Sequence, residues 1–278
     1  MSSAMSLSGP SRLLTRATAI AFALFGLVLF VLPAWSAQEF PWKVSEFVAM
    51  TIGGWCIGTA TIAWLAARQW RWSTVYPLLA YVWSFAIVEV AVLVWFRELI
   101  RFGGLLTWPY LLALGLGLVT AVVGVWDLAR LRPTMASDSE PAPGWFRPAA
   151  AVFALLVGAL AVKGLLDPDS GRRLTVFPEA LSPFTVRAFA VFYGAIALGA
   201  VPLAFAKPRS PFLAYGRAGM GLIVPITVAA LVYLGRFDFA AHPLQLVYIA
   251  AYVVVFVALL GVEARERGRR RSTVLATT

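Results

Sequence analysis

The sequence is poor in the residues that usually carry chemistry. It has one cysteine, Cys56, and one histidine, His242, in 278 residues. A lone cysteine excludes an intramolecular disulfide framework and a cysteine metal cluster. A lone histidine excludes a bis-histidine haem pair or a multi-histidine metal site built from this chain alone. There is no Gly-Lys-Ser/Thr phosphate loop, no His-Glu-x-x-His pair, no Gly-x-Ser-x-Gly elbow and no dense acidic cluster. No lysine sits mid-helix where a retinal Schiff base would need it. No catalytic residue, metal or cofactor is therefore expected.

Charge is scarce too. Charged residues make up 13% of the chain and hydrophobic ones 61%, with a mean hydropathy of +0.83. A soluble domain carries about a quarter charged residues. That excludes an ordinary soluble enzyme, a disordered chain and a secreted disulfide scaffold, and it leaves a membrane protein. The net charge of +10 is no nucleic-acid signal, because the cations fall between apolar runs and in the tail. Only three of the 23 basic residues are lysine (Lys43, Lys163, Lys207). With the excess of Ala, Val, Leu and Gly, this points to a GC-rich bacterial genome and hence to a bacterial inner membrane.

What is present is apolar runs. Stretches without Asp, Glu, Lys or Arg cover 17–38, 47–67, 72–88, 102–126, 148–162, 188–206, 218–235 and 239–262. Each is close to the roughly 20 residues that a helix needs to cross the hydrocarbon core. The third extends across Glu89 to Phe96, and the fifth reaches Leu166 if Lys163 snorkels. A β-barrel is excluded, since its strands alternate apolar and polar residues and nothing here alternates. The fold class expected is all-α, with eight transmembrane helices.

With the N-terminus inside, fifteen Lys/Arg fall on the cytoplasmic side and eight on the other, so both termini are expected in the cytoplasm. A competing reading exists at the start. Arg12 and Arg16, the apolar Ala17–Leu32 and then Pro33-Ala34-Trp35-Ser36-Ala37 imitate a signal peptide with a small-residue cleavage site. A tandem repeat that includes this segment argues for a retained first helix.

Phe40-Pro41, Ser45 and Phe47 match Phe177-Pro178, Ser182 and Phe184 at a constant offset, which also sets Trp55 against Phe192 and Gly58 against Ala195. Leu99-Ile100-Arg101-Phe102 matches Leu234-Gly235-Arg236-Phe237, and Pro109 and Pro243 follow. The expected organisation is an N-terminal tail (1–16), a four-helix repeat (17–130), a flexible cytoplasmic linker (131–147), a second parallel repeat (148–263) and a basic tail (264–278). The phrase Phe177-Pro178-x-x-Leu181-Ser182-Pro183-Phe184-Thr185-x-Arg187, running into Gly194 and Gly199, resembles one in bacterial multi-span membrane proteins. There it reads roughly Trp-Pro-x-x-Leu-Thr-Pro-x-Thr-x-Arg. The first repeat departs from it at Glu46 and Met50, which stand where Pro183 and Arg187 do. The resemblance implies a membrane protein with this repeat and attaches no activity.

Glu89 is the only acid well inside an apolar helix, about 12 Å below the outer end at 1.5 Å per residue. An intramembrane carboxyl needs a partner or a use. Arg187 is the candidate partner in an ion pair joining the halves. The alternatives are a protonated Glu89 bonded to Ser84 or a backbone carbonyl, or a proton-coupling role. Arg97, Arg101 and Arg236, with Lys163 and Arg172, are candidates for a positive outer vestibule. The plainer reading is that arginines at helix ends bind carbonyls and lipid phosphates. Trp35, Phe40-Pro41-Trp42, Trp95, Trp108 and Tyr110 form an aromatic belt. Gly54-x-x-x-Gly58 and Ala195-x-x-x-Gly199 are close-packing faces.

Three functions compete. First comes a transporter-like or binding protein for a lipid-like or small hydrophobic or anionic molecule. Next is an accessory or scaffold subunit of a larger complex. An intramembrane enzyme ranks last. Membrane lipids are expected partners, with a protein partner or a second copy; nucleic acid is not. A cavity between the repeats would favour transport, and a dry interface between them would favour the scaffold.

Overall fold

The computed structural model describes residues 6–135, 139–167, 169 and 176–276, with 267 and 270–276 as helix backbone only. Arg172 and Arg173, expected in an outer loop, lie outside the described residues. The described chain is helical, without strands. Its α-helices are α1 (Gly9–Val31), α2 (Pro33–Glu39), α3 (Glu46–Gln69), α4 (Trp72–Trp95), α5 (Thr107–Leu131), α6 (Phe146–Leu166), α7 (Pro183–Ala200), α8 (Ser210–Val232) and α9 (Gln245–Ala276). Eight of them, all but α2, are long and apolar enough to cross a membrane; for α7 the span includes the 3-10 turn Val201–Phe205.

The helix ends follow local chemistry more closely than they follow the charge-free runs. Helix α1 starts at Gly9 because Ser8 caps it, accepting from the Ser11 backbone N–H, and Pro10 suits the first turn. Arg12 and Arg16 are therefore inside the helix. The run 17–38 is not one helix. Pro33 has no N–H to donate and disfavours helical geometry in the residue before it, so α1 stops and α2 begins. Helices α3 and α7 share a start: Ser45 accepts from Val48 N–H, and Ser182 from Thr185 N–H. Helix α3 ends on Trp70 in the left-handed region (φ 41°), whose indole N–H donates to the Leu7 carbonyl at 3.0 Å.

Helices α3, α4 and α7 form the centre. The α3 span is 78% buried, against 22% for α6 and 11% for α9. Helix α1 packs on α3, and α5 on α1 and α4. In the second half α6 packs on α7, and α9 on α8. Between the halves α3 meets α8, and α4 meets α7 and α8. The small-residue faces are used here. A Cβ on Gly58 would stand 2.8 Å from the Leu222 Cα, and one on Gly199 would stand 2.9 Å from the Pro77 carbonyl oxygen. Only glycine permits these backbones to approach so closely.

The linker is not loose where it is described. Pro141 bridges Pro208, Ala142 N–H donates to the Lys207 carbonyl at 2.8 Å, and Arg209 N–H donates to the Glu140 carbonyl at 2.9 Å. Three residues run antiparallel to the α7–α8 turn, so backbone pairing replaces the freedom that a Pro/Ser-rich composition suggested.

Candidate functional site

Glu89 is a carboxyl buried in a span, where a charge is costly without a partner. It lies on the inward face of α4 and is 2% exposed. Its Oε1 accepts from the Tyr110 hydroxyl at 3.0 Å; its Oε2 is buried and has no hydrogen-bond partner among the described residues. Tyr110 comes from the first turns of α5. Its ring is held by Phe25 (centroids 5.7 Å), Trp42 (5.5 Å) and Phe40 (6.2 Å), so the hydroxyl has one direction to point. Cys56 on α3 and Tyr81 on α4 are buried as well. The Tyr81 hydroxyl is spent on Thr59 at 2.8 Å.

The expected ion pair with Arg187 is not formed. The Arg187 guanidinium lies over the Phe96 ring, 5.2 Å from its centroid, and Phe96 is stacked on Phe184 at 5.0 Å. Phe96 follows Glu89 by two turns, about 10 Å along the helix. The cation is therefore held on an aromatic face near the end of the bundle, while Glu89 turns toward α3 and α5 of its own half. Ser84, the other partner considered, bonds back to the Ala80 and Tyr81 carbonyls.

The vestibule arginines do not converge either. Arg97 pairs with Glu98 at 3.4 Å on an exposed turn. Arg101 Nη2 donates to the carbonyls of Gln38 (3.2 Å), Phe40 (2.7 Å) and Trp42 (3.4 Å), while its backbone N–H donates to Pro41 at 2.7 Å. Arg236 Nη1 bonds Glu179 Oε1 at 2.9 Å, and Glu179 Oε2 accepts from the Ser45 hydroxyl. In each half, then, the arginine of the Arg-Phe turn clamps the Phe-Pro loop of the same half. Lys163 lies in the last turn of α6, and its carbonyl accepts from Asp167 N–H. Tyr110, placed in the belt by sequence, is the residue that completes the Glu89 site.

The interface between the halves is filled. Trp55 packs on Phe192 (4.2 Å), which also stacks on Phe85 (4.5 Å), and Trp42 tilts against Phe184 (4.2 Å) while its indole N–H donates to Thr185 Oγ1 at 3.2 Å. Two surface grooves lie elsewhere. One of about 440 Å³ runs between α1 and α3, and one of about 380 Å³ runs beside Arg147 and Phe205.

Chemically the Glu89 site offers one carboxyl oxygen engaged by a phenol and one left over. No group of three or more His, Cys, Asp or Glu side chains among the described residues can hold a metal ion. Comparison with known proteins finds no family model, no curated protein and no solved structure that matches the chain.

Proposed function

We propose that this chain is a non-catalytic accessory or scaffold subunit of a bacterial inner-membrane complex, with both termini in the cytoplasm. One observation carries the reading: the faces of the two halves are packed with aromatic rings and with glycine against backbone, and Glu89 and Arg187 turn to different partners instead of lining one passage. Packing of this density makes a rigid body, and an alternating-access device needs two units that rock against each other around a midplane site.

The same faces support a tandem duplication of a four-helix unit. Residues matched by the sequence offset meet across the interface, Trp55 with Phe192 at 4.2 Å. Thr74 and Ser210, at the same stage of α4 and α8, are hydrogen-bonded at 3.2 Å. Equivalent residues touch where a pseudo-two-fold axis passes. The exchange of α3–α8 for α4–α7 contacts is the pattern such an axis generates, and so are the paired serine caps and arginine clamps.

Native mass spectrometry of the protein in nanodiscs drawn from its own membrane tests the role. A stoichiometric protein partner or second copy is the expected result. A lone chain carrying only a small molecule would overturn it in favour of the second reading, a transporter-like or binding protein for a lipid-like or small hydrophobic or anionic molecule. That reading is favoured by the unpartnered Glu89 Oε2.

A further inference from the structure

Most arginines at the end of the bundle where α1 begins are already committed. Arg12 Nε donates to the Ala67 carbonyl at 2.7 Å, Arg147 Nε to Ala204 at 3.1 Å, Arg217 Nε to Glu263 at 3.0 Å, and Arg209 pairs with Glu266. Arg16 and Arg68 differ. Both are exposed, and neither guanidinium has a hydrogen bond or ion pair among the described residues. Arg132 and Arg265 at the same end are equally open, but Arg16 and Arg68 stand together: both line the groove of about 440 Å³ between α1 and α3, with Leu13, Ala17, Ile20 and Trp64.

The position of the groove says what fills it. Arg12 bonds the Ala67 and Arg68 carbonyls, so the α1 turn at Arg12 is level with the end of α3. Arg16 then lies one turn deeper, level with Trp64. The apolar wall is open: Leu13 is 66% exposed, Ile20 51% and Trp64 48%. Two unneutralised cations thus stand at the rim of an apolar channel on a membrane-spanning pair. A bare anion would use only the rim, and an uncharged acyl chain only the wall. The volume is within the roughly 300–1,000 Å³ of small-molecule sites. We propose that this groove binds one anionic phospholipid, its phosphate held by Arg16 and Arg68 and the start of an acyl chain lying along Ala17, Ile20 and Trp64. The second groove lacks this combination, because it has a single arginine, Arg147, where the first has two. The proposal stands apart from the choice between scaffold and transporter.

The test uses the full chain in phosphatidylcholine nanodiscs doped with phosphatidylglycerol, with retained lipid counted by native mass spectrometry. The intact chain should keep one phosphatidylglycerol in preference to phosphatidylcholine, and inorganic phosphate should not displace it. Each arginine near an anionic headgroup contributes about 1 kcal/mol, so R16Q/R68Q should weaken retention about thirty-fold. R16K/R68K should recover much of it, and R97Q at the other end should change nothing. Should R16Q/R68Q fail to fold, A17W fills the groove with both arginines in place and should also lose the lipid. Equal retention of the two lipids overturns the proposal, as does unchanged retention in R16Q/R68Q or in A17W, which would leave two arginines merely reaching for water. Displacement by inorganic phosphate would overturn it in favour of a bare anion site.

Discussion

At the scale of residues, the two groups expected to pair find other partners, Glu89 inside its own half and Arg187 across the interface. Glu89 belongs to Tyr110 and Arg187 to Phe96. A net hydrogen bond of this kind contributes about 1 kcal/mol. Tyr110→Phe should therefore lower unfolding stability in detergent by about that much, while Glu89→Gln, whose amide oxygen still accepts from Tyr110, should cost less. In a double-mutant cycle, Glu89→Gln and Arg187→Gln should add within error; a clear coupling between them would restore the ion pair. The clamps separate from the vestibule idea in the same way. Arg101→Gln removes a charged donor from three carbonyls and should cost about 1.5–3 kcal/mol. Arg97→Gln, in an exposed pair, should stay within about 0.5 kcal/mol. Glu89 was legible in the sequence because an acid inside an apolar run stands out. Its partner was not, since a tyrosine close to a helix start reads first as a belt residue and nothing local aims its hydroxyl at another helix. Asp127, which accepts from Ser8 and Ser11, was missed for the same reason, as its partners are over a hundred residues away.

At the scale of elements, composition gave the number of spans, and capping chemistry gave their ends. Counting uncharged residues put the start of the first helix at Ala17, whereas Ser8 and Pro10 start it two turns earlier with two arginines inside. Charge-free length is a criterion for lipid burial, and helix formation does not require it. The small-residue spacings were legible as faces, though not which helix would meet them. Leu222 and Pro225 on α8 meet Gly58 and Gly54, and that pairing can be tested. Gly58→Leu drives a side chain into the α8 backbone, and overpacking of this kind costs about 1–3 kcal/mol. Gly115→Ala on α5, where an added Cβ meets nothing within 4 Å, should be neutral or stabilising by up to about 1 kcal/mol. Thermal unfolding of both variants checks the contrast, and a silent Gly58→Leu would mean that α3 and α8 are not in contact at that point.

At the scale of the whole molecule, the polar contacts sort the chain into two ends. Leu7 and Ser8 join Trp70 and Asp127, Thr74 joins Ser210, and Glu140 joins Arg209 and Arg269. The start of the chain, both short basic turns, the linker and the extension of α9 therefore share one end. The other end holds the Arg101 and Arg236 clamps and the Ser45–Glu179 contact. The first end is also where fifteen of the 23 basic residues fall, and a Lys/Arg excess in short loops marks the side that stays in the cytoplasm. A reporter active only in the cytoplasm should therefore be active when fused after Thr278, and a periplasmic reporter should be active when inserted at Gly103, on the exposed turn beside the Arg101 clamp. The two ends are tied together by side-chain contacts within each, so the expected results stand or fall jointly. Periplasmic activity after Thr278 would reverse the orientation of every loop at once, and it would move the Arg16–Arg68 groove to the outer leaflet.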